Sequence, residues 1–329
     1  MNRTLPKKKS VNKRDTNSYL YKKKVEVSFI MPIYNNKKYV SDSIKELQKE
    51  KKIKWELIII DDYSTDKTFK MIKQFSKKDH RIKLFKNIKK GKVAATNYGF
   101  NLSCGKIIKC IDSDDVLSCK FFSYYDILKN YSAHCHNALI TDINLNYLAS
   151  YYINPLLVNK SYEYVASNLL TFPKWAWSFD RQLAKKIFPI PENLPFEDVW
   201  MNLIIKKFSK KIFHINKSIY KYRQHPNQTF GGILNYSEKK VIFRAKRILK
   251  LLSILKNETK ITNGLSENIF NDIEDYYKII SKKKISYLDI MKIEKNIIFK
   301  LKVILIKKIP NLAKYATYLK WKLDGIFKN

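Results

Sequence analysis

Leu57-Ile58-Ile59-Ile60 is an unbroken apolar run that stops abruptly at Asp61-Asp62-Tyr63-Ser64-Thr65-Asp66. A strand apolar on both sides must be covered on both faces, as in a parallel sheet packed between helices. The hydroxyls and carboxylates that end it suit the start of the helix through Met71 and Phe75, with Asp66 as the cap and Asp62 left for a ligand. The same pattern recurs on either side. Val25, Val27, Phe29 and Ile30 lead into Met31-Pro32-Ile33-Tyr34-Asn35-Asn36, and Tyr39 to Glu50 follows with helical spacing. Ile82, Leu84 and Phe85 make a third strand, followed by a loop around Gly91 and a helix through Ala94, Ala95 and Tyr98. Ile107 to Ile111 is a further strand and delivers Asp112-Ser113-Asp114-Asp115. Strand–helix alternation repeated three times predicts an α/β fold with a mostly parallel, Rossmann-like sheet flanked by helices. Ligands of such sheets bind outside the carboxyl ends of the strands. Tyr34-Asn35, Asp61-Asp62 and Asp112 to Asp115 all fall at that edge.

Alternation along a strand sends Asp112 and Asp114 to the same side, with Ser113 turned away. Two carboxylates on one side repel and raise each other's pKa. A hard divalent cation such as Mg²⁺ or Mn²⁺ removes that conflict, its remaining positions filled by water and substrate phosphates. An Asp-Ser-Asp turn without metal is the competing reading of these residues alone.

Lys plus Arg number 65 against 29 Asp plus Glu, a formal charge of +36. Such a field attracts anions: nucleic acid, acidic head groups or phosphorylated small molecules. Hydrophobic residues at 45% argue against global disorder. The four cysteines match no common zinc spacing, and His134-Cys135-His136 reads as core. Residues 1–24 are basic and aperiodic, as in a flexible arm, and lack the apolar centre of a signal peptide. No convincing membrane span is present, so a cytoplasmic protein is expected. Residues 25–232 read as one domain in two halves, 25–117 and 118–232. Residues 233–329 read as a lysine-rich helical extension.

The second half contains a strand at Ala138 to Ile143, an aromatic cluster at Trp175-Ala176-Trp177, and a loop at Pro189 to Asn193. Phe196-Glu197-Asp198-Val199 opens a helix with its acids at the positive end of the dipole. Short strands at Ile212-Phe213 and Ile219-Tyr220 lead to Tyr222-Arg223-Gln224-His225.

Several of these segments, in order, resemble family 2 glycosyltransferases with the A-type nucleotide-sugar-binding fold. Val27 to Asn35 (VSFIMPIYN) is similar to that family's first strand, and Leu57 to Thr68 (LIIIDDYSTDKT) to its second strand and acidic turn. Gly91 to Gly99 (GKVAATNYG) resembles its glycine–alanine–asparagine–glycine helix, and Ile111 to Asp115 its metal-binding segment. Phe196 to Val199 resembles the later acidic pair, and Tyr222 to His225 a downstream basic segment. The resemblance spans roughly residues 25–230 and implies a catalytic domain at 25–232, with a nucleotide-sugar-binding half (25–117) and an acceptor half (118–232).

Carried over residue by residue, it implies that Pro32 and Tyr34 border the nucleotide. Asp62 accepts a hydrogen bond from the base, with Asp61 beside it, and Asp112 faces the ribose or sugar. Asp114 ligates Mn²⁺ or Mg²⁺, Asp198 is the general base and Glu197 supports it. Lys92, at the start of its helix, is expected to help bind anions, and His225 and Arg223 to reach phosphate or metal. The implied reaction is inverting transfer from a nucleotide sugar, a UDP-sugar being the first expectation, to a glycan or lipid-linked hydroxyl in surface polysaccharide or glycolipid synthesis. Tyr63 departs from the family, which usually has glycine there. The lysine-rich C-terminal region suggests an anionic membrane surface as a partner, and peripheral attachment to the inner face. No nucleic-acid motif accompanies the charge. A nucleotidyltransferase, or a basic membrane- or nucleic-acid-binding module on an inactive transferase fold, are the alternatives.

Overall fold

The computed structural model describes residues 25–225 and 238–282, with scattered positions between 286 and 315. The basic arm, the Gly231-Gly232 junction and most of the lysine-rich extension lie outside the described residues. The chain runs β1 (Val27–Ile33), α1 (Val40–Gln48), β2 (Trp55–Asp61), α2 (Thr68–Lys78), β3 (Ile82–Lys86), α3 (Lys92–Leu102) and β4 (Ile107–Cys110). It continues with β5 (Val116–Leu117), β6 (Ala133–Thr141), β7 (Tyr147–Tyr151), α4 (Tyr162–Asn168), β8 (Trp177–Asp180), α5 (Arg181–Ile187), α6 (Glu197–Phe208), β9 (Ile212–Arg223), α7 (Glu238–Asn257) and α8 (Asn271–Ser281), with single helical turns between.

The strands form one sheet in the order β3-β2-β1-β4-β8-β6-β9-β5, with β7 beside β6. The four strands anticipated from the apolar runs pair in parallel, in register from Val27 opposite Trp55 to Ile33 opposite Asp61. Every residue of β1 and β2 is buried, which is why those runs are apolar throughout. Beyond β4 the sheet becomes mixed, because β8 pairs antiparallel with both β4 and β6. The two short strands expected at Ile212 and Ile219 are one strand, β9, parallel to β6 with register shifts around Asn137. β6 begins at Ala133, earlier than the apolar pattern suggests, since His134 and His136 are themselves buried. His134 is held by the Leu128 carbonyl and the Ser178 hydroxyl, as a core residue.

The strand order reverses at β1. β2 and β3 lie to one side and β4 to the other, so a crevice opens beyond Ile33 and Cys110. Asn36 closes it from below, its side-chain amide donating to the Ser113 hydroxyl at 2.6 Å. α3 packs tightly over this point: a Cβ on Gly99 would fall 2.6 Å from Ile30 Cγ2, a distance no side chain tolerates.

The core does not divide at residue 232. Leu251, Leu252 and Leu255 of α7 are fully buried in the same cluster as the strands. α7 is therefore packed onto the same core as the strands.

Lys109, in the centre of β4, is fully buried. Its ammonium has three acceptors: His136 Nε2 at 2.8 Å, the Trp175 carbonyl at 2.7 Å and the Trp177 carbonyl at 3.3 Å. Burial pushes its pKa down to about 7, yet each N–H finds a partner. It thereby ties the Lys174–Ala176 turn to the sheet. Replacing Lys109 with Met strands three buried acceptors, and we expect a loss of about 3 kcal/mol in urea unfolding. An unchanged midpoint would contradict this role.

Candidate active site

The loops beyond β1, β2 and β4 are locked to one another before any ligand is considered. The Asn35 side chain accepts from the Thr65 and Asp66 N–H groups and donates to the Thr65 hydroxyl. Asp66 accepts from Thr68 N–H at 2.8 Å, but it lies one residue before the N-cap, which is Lys67. Tyr63 adopts φ +63°, so this turn keeps the left-handed backbone that glycine would accept freely, at a cost on the order of 1–2 kcal/mol. Asp61 is buried, accepting from Ser64 N–H on one oxygen, while its other oxygen is buried without a partner. Asp62 accepts from the Asn87 side chain at 2.8 Å and from Gly91 N–H at 2.9 Å. It thus clamps the β3–α3 loop, where Gly91 has φ +130°. Pro32 is buried at the end of β1, whereas Tyr34 is 54% exposed at the rim.

A cleft of about 560 Å³ lies beside these turns. Among its lining residues are Lys92, Asp112, Asp114, Asp115, Glu197 and Asp198. The acids after β4 and the acidic pair of α6, far apart in sequence, therefore face one space. Pro32, Tyr34, Asp61 and Asp62 sit outside that lining, at the adjoining strand ends.

Each acid after β4 has a different environment. Asp112 receives Lys92 Nζ at 2.9 Å and Lys174 Nζ at 3.6 Å on the same oxygen. Burial works against its charge, but the two ammonium groups outweigh it and hold its pKa well below the usual carboxylate range. Lys92 and Lys174 thus offset the charge of Asp112 beside Asp114. Asp114 meets His225 Nε2 at 3.0 Å. Asp115 is buried, and one oxygen accepts from Arg223 N–H at 2.8 Å. Burial, then the charges of Asp114 and Asp112, push its pKa well up.

Arg223 was expected to reach phosphate or metal, and the structure directs it elsewhere. Its guanidinium donates to the Asp114 carbonyl, the Ile143 carbonyl and the Asp42 carboxylate, each at 2.8 Å, and stacks on Tyr39. With those donors committed and 3% exposure, it braces the Asp114 loop from beneath. The nearby His225 imidazole lies against Tyr39, and its Nε2 meets the Asp114 carboxylate.

Across the cleft, α6 presents Glu197 and Asp198. Asp198 accepts from the backbone N–H of Lys174 at 2.8 Å, and Glu197 receives Lys174 Nζ at 2.9 Å. Burial, together with the neighbouring Glu197 charge, raises the Asp198 pKa to about 6 despite Lys174. Trp175 stacks on Tyr220 with rings 4.9 Å apart and lines the cleft, while Trp177 is fully buried core. Sequence reasoning passed over Lys174, which sits among aromatic residues where a buried charge is not anticipated. It also passed over Asn97, whose side chain forms reciprocal 2.8 Å bonds with the Ile190 backbone and secures the 189–193 loop to α3. Arg247 was missed as well; it brings α7 to the cleft by stacking on Phe196.

Residues 28–144 match the family described as Glycosyl transferase family 2. The chain carries a family 2 glycosyltransferase domain. This family 2 domain contains the whole parallel half of the sheet and the Asp112–Asp115 segment, while Asp198 and His225 lie beyond the matched residues. Over 91 residues, 27% of the chain, it is 41% identical to 35% of the Escherichia coli UDP-Glc:alpha-D-GlcNAc-diphosphoundecaprenol beta-1,3-glucosyltransferase WfgD. The chain spans about a third of the length of the curated relatives it first matches. Similarity in fold extends further. The S. aureus TarS 1–349 structure in complex with UDP-GlcNAc shares a TM-score of 0.54 at 15% identity, covering 86% of this chain and 79% of that one. The mannosyltransferase PcManGT from Pyrobaculum calidifontis, in complex with GDP-Man and Mn²⁺, gives 0.55 at 13% identity, covering 91% and 84%. The A-type fold therefore extends well past the family 2 domain, beyond residue 144.

Proposed function

We propose that the chain transfers a sugar from a nucleoside diphosphate sugar to a hydroxyl of a glycan or lipid-linked acceptor, with inversion at the anomeric carbon. The observation that carries this reading is the single cleft shared by the Asp112–Asp114 segment and the poised carboxyl of Asp198. Catalytic bases are tuned by burial and neighbouring charge toward the working pH, as Asp198 is.

In this reading Asp62 and the β1 and β2 ends hold the nucleoside, with the Asp62 Oδ2 oxygen the less committed to protein donors. Lys92, on the first turn of α3, offers its ammonium and the helix N-terminus toward the diphosphate. Asp114 and His225 place a carboxylate oxygen and an imidazole nitrogen side by side. Among the described residues no group of three or more His, Cys, Asp or Glu forms a self-sufficient metal cage. The pair fits a Mg²⁺ or Mn²⁺ site whose remaining ligands are water and substrate phosphate oxygens. When bound there, the cation neutralises charge on the departing diphosphate.

Asp198 accepts the acceptor's hydroxyl proton as that oxygen bonds to the anomeric carbon. The bond from that carbon to the phosphate oxygen breaks on the opposite face, and its electron pair leaves with the nucleoside diphosphate. Trp175 and Tyr222 wall the acceptor side and limit water. The printed activity of the WfgD relative and the UDP-GlcNAc in the TarS structure support a UDP-sugar and a lipid-linked acceptor. Within the described residues no helix is long and apolar enough to cross a membrane. The lysine-rich composition of the C-terminal region, residues 233–329, supports contact with an anionic membrane surface.

Product analysis separates this function from nucleotidyl transfer. Incubation with donor, acceptor and Mn²⁺ is expected to release a nucleoside diphosphate. Pyrophosphate release from a nucleoside triphosphate would favour the nucleotidyltransferase instead.

A further inference from the structure

Lys174 is a lysine with 3% exposure at the centre of the cleft, and no step above uses its charge. Ordering so long a side chain costs conformational entropy, and burying its ammonium costs hydration, so its partners must repay both. Its Nζ lies 2.9 Å from Glu197 Oε1 and 3.6 Å from Asp112 Oδ1. Lys92 holds the same Asp112 oxygen at 2.9 Å. Lys92, Asp112, Lys174 and Glu197 thus form a row of alternating charges from the donor side of the cleft to the acceptor side. The Lys174 backbone is equally committed. Its N–H meets Asp198 Oδ1 at 2.8 Å, and the turn it begins is fixed by Lys109 through the Trp175 carbonyl.

We propose that Lys174 is the positioning residue of the general base. Its N–H fixes one carboxylate oxygen of Asp198, and its ammonium compensates the charge of Glu197 beside it. The inference rests on the assignment of Asp198 as base. Two adjacent carboxylates at the head of α6 would otherwise suppress each other's ionisation. With Glu197 neutralised by Lys174, Asp198 is the one that gives and takes a proton near pH 6. The charged groups that bear on Asp198 are Glu197 on its own helix, Lys174 on the preceding turn and Asp112 after β4. Lys92 on α3 and Arg247 on α7 line the same cleft.

The test compares the pH profile of kcat for Lys174→Met, Glu197→Gln and the double variant, with Asp198→Asn as reference. Lys174→Met keeps the side-chain length and removes the charge. Its acid limb is expected to move up by about one pH unit, a roughly tenfold loss of kcat on the acid side. Donor KM should change less than kcat. Glu197→Gln alone should move the limb down, and the double variant should return it toward the wild-type position. Equal losses at all pH values, or no return in the double variant, would reduce Lys174 to packing and overturn the inference. If Lys174→Met does not fold, Glu197→Gln decides alone, and an unmoved limb overturns the proposal. Retained transfer in Asp198→Asn would instead remove the base assignment itself, a separate result.

Discussion

Asp198→Asn is expected to lower kcat by about 10²–10⁴-fold, the usual contribution of a positioned general base. Asparagine keeps the oxygen that accepts from Lys174 N–H, so the α6 terminus should remain in place. Nucleotide-sugar binding should therefore be unchanged. The wild-type profile follows from the sign of the shift. Burial and Glu197 raise the Asp198 pKa to about 6, and the base works only when ionised. Turnover should rise with pH through that value and level off above it, while the residual activity of the variant should show no such limb. A variant that still transfers sugar at the wild-type rate would remove Asp198 from the chemistry.

The second large effect concerns Asp114. It lines the cleft, and its carboxylate meets the His225 imidazole at 3.0 Å. Asp114→Ala is expected to weaken Mn²⁺-dependent donor binding by about 100-fold, or about 2.7 kcal/mol. At a donor concentration 100 times the wild-type Kd, linkage stabilises the wild type by about 2.7 kcal/mol and the variant by roughly 0.4 kcal/mol. Thermal unfolding with donor and Mn²⁺ reads this difference directly. Equal shifts for both proteins would exclude Asp114 as a ligand. Arg223→Lys gives a useful contrast, because its guanidinium supports the Asp114 loop through the backbone and not the pocket.

The two halves of the molecule differ in how openly the sequence declares them. β1 and β2 announce themselves because a strand covered on both faces must be apolar at every position, and theirs are. β7 and β8 do not: β8 is four residues long and β7 sits half exposed at the margin of the sheet, so neither needs an apolar run. The acids at the strand ends were legible for a similar reason, since carboxylates directly after buried strands have few structural uses. Their partners were not. Asp112 is neutralised by Lys92 and Lys174, contacts that depend on how α3 and the Lys174 turn fold over β4. In a chain this rich in lysine, nothing in composition marks the two that are held in the cleft. Arg223 shows the converse. A basic residue in the right segment looked like a ligand, but the register of β9 against β5 places it beneath the loop.

The central claim is that one cleft holds both a nucleoside diphosphate sugar and the base that activates its acceptor. Equilibrium binding of a panel of nucleotide sugars to the full chain, with Mn²⁺ and again with EDTA, tests it most directly. At least one donor should bind with Mn²⁺ and lose most of its affinity in EDTA, while Asp198→Asn binds it as the wild type does. If no nucleotide sugar binds under either condition, the account is contradicted at its base.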